Sequence, residues 1–339
     1  MIKNLAIIGA SYLQLPLIEK AKDMGLETHV FAWAANDVGE KSADYFYPIS
    51  IIEKEQILEK CKEIGIDGIC SIASDLASLT VNYVANNLGL TGNSIESSHL
   101  STNKCLMRKA FEKNSDPSPR SITIDSSFDF NELDLKYPII VKPTDRSGSR
   151  SIYKLETSEG LQEAINDAIS SSFEKKAVIE EYIEGKEYSV EYISWKGKHY
   201  FITITEKFTT GAPHFIETGH KEPGIVNDEL LNKVKDVVSH ALDSLKVENG
   251  ASHSEIKIDD NNNIKIVEIG GRMGGDLIGS HLVPISTGYD FVKAVIDVSM
   301  GVEPEKPSGK SIKNVKVDFV LDEETTDSSN RKGYKITEM

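Results

Sequence analysis

Glu255 and Glu268 lie in "HSEIKIDDNNNIKIVEIGGR", two alternating stretches on either side of an Asp/Asn-rich turn. Alternation of this kind marks strands, and the turn residues mark a hairpin. With the loop set at residues 260–263, Asp259 faces Ile264, and the same register puts Glu255 opposite Glu268. Directly opposed side chains have Cβ atoms about 4.5–5.5 Å apart, where like charges repel. A divalent cation removes that repulsion, and paired carboxylates are a usual way to hold Mg²⁺ beside nucleotide phosphates. A solvated acidic strand face would use the same residues.

Three other stretches carry residue types suited to phosphate chemistry. "EIGGRMGGD" surrounds Arg272 with four glycines. Glycine at a strand end lets backbone approach a ligand, and an arginine beside a metal stabilises charge on a transferring phosphoryl group. A tight turn with a surface arginine is the alternative. "IVKPTDRSGSRSI" (140–152) runs from an apolar strand end through Lys142 into a Gly/Ser/Arg loop and a second apolar start. It could hold phosphates, but it does not match G-x-x-x-x-G-K-[ST]. "VIEEYIEGKEYSV" (178–190) offers extended backbone to a planar base, and Glu187 could accept hydrogen bonds from ribose hydroxyls. An ordinary strand and turn reads the same way.

The elements that must position these residues follow from periodicity. "NLAIIG", "ETHVFAWA" and "IDGICSIA" are short apolar runs, each separated from the next by helical spacing that ends in glycine (Gly25, Gly65, and later Gly89). That β-α-β-α rhythm predicts a parallel sheet with right-handed crossovers. A dinucleotide site is not expected there, because Gly9-Ala10-Ser11-Tyr12-Leu13-Gln14 has one glycine where the fingerprint needs three. A helix is expected at about Ser101–Lys113, capped by Ser101 or Thr102. "DPSPR" then breaks the pattern. A hairpin turning at Lys196-Gly197 follows, and then an amphipathic helix with Leu230, Val234, Val238, Ala241 and Leu245 on one stripe.

The 339 residues are enough for two or three domains, and 39% hydrophobic with 27% charged is an ordinary globular composition. The net charge of −15 argues against non-specific nucleic-acid or anionic-membrane binding. Cys61, Cys70 and Cys105 have no paired spacing and read as free thiols in a reducing compartment. The apolar run at the start is too short for a signal or membrane segment, so a cytoplasmic location is expected.

In this order, "NKCLMRKAF", "IIVKPTDRSGSRSI", "VIEEYIEGKEYSV", "HSEIKI" and "VEIGGRMGG" resemble the motifs of the ATP-grasp superfamily, over roughly residues 95–300. The branch it resembles contains carboxylate–amine and L-amino-acid ligases, related to biotin carboxylase and carbamoyl-phosphate synthetase. The resemblance implies an α/β chain in which an N-terminal Rossmann-like parallel-sheet domain (1–95) precedes a two-lobed ATP-grasp α+β fold. The small lobe with its phosphate loop would be 96–185, and the large lobe with the metal hairpin 186–339. It implies ATP and Mg²⁺ (Mn²⁺ as a substitute), with a carboxylate activated as an acyl phosphate for attack by an amine.

By the same resemblance Lys104 and Lys142 would contact phosphates, Arg146, Ser147, Gly148 and Ser149 would cover them, and Lys207 would add a further contact. Glu180, Glu181 and Ile183 would edge the adenine, largely through backbone, and Glu187 would hold the ribose. Glu255 and Glu268 would ligate Mg²⁺, and Arg272 would be catalytic. His214, Glu217 and His220 could line the substrate pocket. Many members carry Asn where Gly270 stands, which bears on the second metal. The implied partners are small carboxylates and amines, with a homodimer compatible and no nucleic acid or membrane. Two other readings stay open: a carbamoyl-phosphate-synthetase- or biotin-carboxylase-like enzyme, and an ATP-binding regulatory protein of weak activity.

Overall fold

The computed structural model describes residues 2–128, 134–146, 148, 150–212, 215–321 and 332–339. The first unit runs β1 (Asn4–Ile8), α1 (Leu15–Asp23), β2 (Glu27–Phe31), α2 (Val38–Ser42), β3 (Tyr45–Tyr47), α3 (Lys54–Ile64), β4 (Gly68–Cys70) and α4 (Asp75–Leu88). Its four strands form a parallel sheet in the order β3-β2-β1-β4. β1 is apolar from Leu5 onward because both of its faces are covered, and Leu5, Ala6, Ile7 and Ile8 have no exposed surface. Gly65 and Gly89 end α3 and α4 in left-handed conformation. β3 and α2 were not legible from periodicity, because each is too short to carry a pattern.

α5 (Ile95–Leu100) and α6 (Lys104–Asn114) lead out of this unit. The cap of α6 is Asn103, whose side chain accepts from Leu106 N, rather than Ser101 or Thr102. Residues 101–103 instead close α5, so α6 begins at Lys104. Then come β5 (Ser121–Ile124), β6 (Ile139–Pro143), β7 (Tyr153–Leu155), α7 (Leu161–Ser171) and β8 (Ala177–Glu181). These strands make an antiparallel sheet in the order β5-β8-β6-β7, with α7 packed on it through Leu161, Ala164, Ile165 and Ala168.

The third sheet is the largest, with the order β13-β12-β9-β10-β11-β14-β15. It is built from β9 (Lys186–Trp195), β10 (Lys198–Thr209), β11 (Glu217–Glu222), α8 (Asp228–Ser244), β12 (Gly250–Ile258) and β13 (Ile264–Gly270). A single π turn (Ile278–Leu282), α9 (Val283–Thr287), α10 (Phe291–Ser299), β14 (Val315–Val320) and β15 (Gly333–Glu338) complete it. One face is apolar and packs against α8 and α6, with Tyr192, Val234, Val238, Phe111 and Ile256 in one core. On the other face Glu187, Ser189 and Glu191 of β9 stand beside Thr203, Thr205 and Lys207 of β10 and His253 and Glu255 of β12. α10 joins this sheet to the first unit, because Phe291 and Val295 share a core with Leu5, Ile7, Leu17 and Ile193.

The register of the β12–β13 hairpin corrects the expectation about its turn. Ile258 pairs with Ile264 and Ile256 with Ile266, so Ile264 faces Ile258 rather than Asp259 and the register at the turn is shifted by one residue from the one assumed. That slip alone would have moved Glu268 off Glu255. A β-bulge between Glu255 and Ile256 restores the pairing, with Val267 as the extra residue, and Glu255 does face Glu268.

Candidate active site

The polar face of the large sheet, the small antiparallel sheet and the open ends of β1 and β4 enclose a cleft of ≈ 510 Å³. Lys104, Lys142, Arg146, Gly148, Glu180, Glu181, Ile183, Glu187, Lys207, Glu255, Glu268 and Arg272 all line it. Ser147 and Ser149, with His214, lie outside the described residues.

Lys142 projects from β6 and Lys104 from the first turn of α6, and both line the cleft. Lys142 Nζ pairs with Glu180 Oε2 at 2.8 Å. Glu180 is 3% exposed and also takes Arg108 Nε at 2.7 Å, so this carboxylate carries two cations. Burial would raise the Glu180 pKa, but Arg108 and Lys142 outweigh it and hold the group at about 2. The Glu180 side chain thus holds Lys142 and Arg108 together at the cleft. Arg108 was missed by sequence reasoning: a basic residue inside an amphipathic helix usually reads as solvated. Its Nη2 donates to Val267 O at 2.6 Å, tying α6 to the bulge that sets the Glu255–Glu268 register.

Lys104 Nζ donates to Glu268 Oε1 at 2.9 Å and to Arg146 O at 2.7 Å, linking the β12–β13 hairpin to the stem of the glycine loop. That stem is pinned from behind. Asp145 accepts from the backbone of Phe173 and Glu174, and the Arg146 guanidinium lies 4.2 Å from the Phe173 ring centre.

Lys207 is 7% exposed and ringed by acids: Glu255 at 2.7 Å, Glu217 at 2.8 Å and Glu187 at 3.1 Å. Burial disfavours its charge, but the three carboxylates raise its pKa well above the usual lysine value. Glu255 is held low despite burial, by Lys207 and then His253. His253 bridges Glu255 (Nε2 at 3.5 Å) and the fully buried Glu191, and burial notwithstanding its pKa rises to about 9 because of the Glu191 carboxylate. Glu191 also accepts from Gly274 N at 3.3 Å, and a Cβ on Gly274 would lie 2.7 Å from His253 Nδ1. His220 is not a surface residue. It is fully buried, 3.7 Å from Glu217, and meets the edge of the Phe319 ring.

Beside Glu181 and Ile183, Lys257 Nζ donates to Ile183 O at 3.2 Å and sits 4.6 Å from the centre of the Tyr182 ring, with Lys154 4.1 Å from the same centre. At the opposite end Tyr12, Leu13, Ala73 and Asp75 enter from the first unit. Asp75 binds Arg272 through both oxygens, Nε–Oδ1 at 2.8 Å and Nη2–Oδ2 at 3.2 Å.

The donor chemistry fits a divalent cation and a polyphosphate. Two opposed carboxylates reach the cleft with side chains 26% and 25% exposed, and Lys104, Lys142, Lys207 and Arg272 line the same cleft. Lys207 pairs with Glu255 and Lys104 with Glu268.

Comparison with known proteins agrees with this chemistry. The ATP-grasp domain family matches residues 135–280. Alanine–anticapsin ligase of Bacillus subtilis is 26% identical over 309 residues, covering 80% of this chain and 65% of that protein. The chain thus spans less than two thirds of the length of that relative. The carbamoyl phosphate synthase large chain of a Thermoanaerobacter species is 24% identical over 81% of this chain and 25% of its own length. Among solved structures, the L-amino acid ligase of Bacillus licheniformis superposes with a TM-score of 0.82 at 22% identity, over 94% of this chain and 80% of that one.

Proposed function

We propose, from the match of residues 135–280 to the ATP-grasp domain family, that this protein is an ADP-forming ligase joining a carboxylate to an amine. The observation that carries the reading is the opposed pair Glu255 and Glu268, bracketed by Lys104 and Lys207 in one cleft with Lys142 and Arg272. The similarity to alanine–anticapsin ligase and to an L-amino acid ligase supports amino-acid or peptide-type substrates.

In the reaction, a carboxylate oxygen attacks the γ-phosphorus of ATP, the bond to the β–γ bridging oxygen breaks, and ADP leaves with that electron pair. The amine nitrogen then attacks the acyl carbon, phosphate departs with the C–O pair, and the nitrogen sheds a proton. Such chemistry needs positioning and charge neutralisation more than a nucleophilic side chain. Lys142, oriented by Glu180, and Lys104 would take phosphate oxygens. Arg146, Ser147, Gly148 and Ser149 would close over them. Tyr182 and the backbone of Glu181 and Ile183 would flank the adenine, and Glu187 the ribose. Glu255 and Glu268 would hold Mg²⁺, or Mn²⁺ in its place, which supplies charge neutralisation at the phosphates. Arg272 would face the charge that develops during acyl transfer.

Tyr12, Leu13, Phe215 and Ile278 line the rest of the cleft and favour a substrate with an apolar side chain. The test is a matrix of amino-acid pairs with ATP and Mg²⁺, scored for phosphate release and by mass spectrometry of products. Amine-dependent ADP formation with a new amide, best with apolar side chains, is the expected result. ATP binding with no ADP release from any pair would overturn the reading.

A further inference from the structure

Arg272 does not stand alone at the cleft. It leaves the glycine turn after β13 and meets Asp75, the first residue of α4, in a bidentate pair with side chains 17% and 15% exposed. Its third nitrogen, Nη1, donates to Met273 O at 3.3 Å. The turn carrying Asp75 is itself fixed on two sides. Ala73 N donates to Met273 O at 3.2 Å, and Gln14 Nε2 donates to Ile72 O at 2.8 Å. Ser74 caps α4 by accepting from Ala77 N. The space above the pair is full: a Cβ on Gly270 would lie 3.0 Å from Asp75 Oδ1 and 3.3 Å from Arg272 Cζ.

We propose that Asp75 is the positioning residue for Arg272, and that Gly270 is glycine because the Asp75–Arg272 pair occupies the room a side chain would need. This rests on the ligase reading for the role of Arg272. A guanidinium at the end of a long side chain has many orientations. A two-point carboxylate contact selects one plane and one direction, which a single hydrogen bond does not. The carboxylate comes from the parallel-sheet unit and the guanidinium from the large sheet, so the first unit acts on the reacting groups through this contact. A structural clamp would use the same pair but would not care which way the guanidinium faces in the transition state.

Three variants separate the two roles: Asp75→Asn, which keeps the volume and loses the two-point contact, Gly270→Ala, which presses on the pair, and Arg272→Ala. With the full chain, Asp75→Asn should lower kcat about a hundredfold, the scale of a small misplacement of a reacting group, while the KM for ATP stays within about twofold. Asp75→Asn added to Arg272→Ala should cost nothing further. Gly270→Ala should shift kcat in the same direction, with thermal midpoint and ADP affinity unchanged.

A second readout does not depend on finding the substrates. Mg²⁺–ADP with aluminium fluoride mimics the transferring phosphoryl group, and the wild type should bind it at least about tenfold more tightly than Mg²⁺–ADP. Asp75→Asn and Arg272→Ala should lose the same share of that preference and keep ADP affinity. Full preference in Asp75→Asn, or a loss that merely tracks thermal stability, would overturn the positioning role. No preference in the wild type would overturn it as well. Absence of turnover with every substrate pair, alongside an Asp75-dependent fluoride preference, would count against the ligase reading while supporting this inference.

Discussion

Lys207 Nζ lies 2.7 Å from Oε1 of Glu255, so one of the two acids expected to bind metal is already satisfied by an ammonium. Glu268 is in the same condition, with Lys104 Nζ 2.9 Å from its Oε1. The cleft is self-neutralised: the cations that would take phosphates hold the acids that would take the metal. Bound ATP would draw the lysines toward its phosphates and free the carboxylates. Metal affinity should therefore be weak in the free protein and rise at least about tenfold with nucleotide, a coupling of ordinary size for two linked ligands. Mn²⁺ titration followed by electron paramagnetic resonance, with and without a non-hydrolysable ATP analogue, reads this directly. Lys207→Met should tighten Mn²⁺ binding in the absence of nucleotide. Equal metal affinity with and without the analogue would show that the lysines do not compete.

Removing charge from the opposite strand tests the metal hairpin itself. Glu268→Gln should reduce ADP formation by at least about tenfold, taking the loss from weakening metal-site partners as a lower bound. The fold should survive, since Glu268 is partly exposed and lies at the cleft rather than in a core. The check is steady-state ADP release beside a circular-dichroism melt. Undiminished turnover at ordinary Mg²⁺ would remove Glu268 from the metal site.

The glycine loop has two arginines, which sequence alone makes equal trypsin sites. They are not equal in the structure. Arg146 stacks on Phe173 and its carbonyl accepts from Lys104, whereas Arg150 is exposed. Limited digestion without nucleotide should cut after Arg150 in preference to Arg146. An ATP analogue with Mg²⁺ should slow the cut and NADH should not. Digestion unaffected by saturating analogue would mean the loop does not close over phosphates.

Glu222 on β11 is fully buried, and its carboxyl accepts from Thr205 Oγ1 at 3.0 Å. Burial above all, with the nearby Glu191 carboxylate, raises its pKa to about 8. The native state therefore keeps a proton that the unfolded chain releases near the ordinary value of 4.5. The stabilisation is complete below pH 4.5, declines as pH rises between 4.5 and 8, and is gone above 8. Its size is on the order of a few kcal/mol, since each tenfold change in proton affinity is worth about 1.4 kcal/mol. Glu222→Gln keeps a neutral group there. Urea midpoints at pH 5 and pH 8.5 should fall less steeply with pH in this variant than in the wild type. Identical pH dependence would mean Glu222 is charged in the folded protein.

Much of the site was legible because its pieces are local. The Glu255–Glu268 hairpin, the strand–loop–strand around Lys142 and the glycine turn at Arg272 each lie within a score of residues, where alternation and turn chemistry act directly. The register argument reached the right pairing through a wrong loop. A bulge at Val267, held by Arg108 from α6, compensated for a one-residue shift of register at the turn, and no local pattern announces a bulge. The remaining partners are distant in sequence and met only when the sheets packed. Asp75 reaches Arg272 from the start of α4, Arg108 and Lys142 converge on Glu180, and Glu187, Glu217 and Glu255 close around Lys207. Charge pairing over such separations depends on which faces the core leaves open, and periodicity does not encode that. Local pattern along the chain specifies the elements, their order and the chemical types in the cleft. Which cation answers which acid is settled by tertiary packing, because a buried charge takes the partner that the surrounding apolar faces bring within reach.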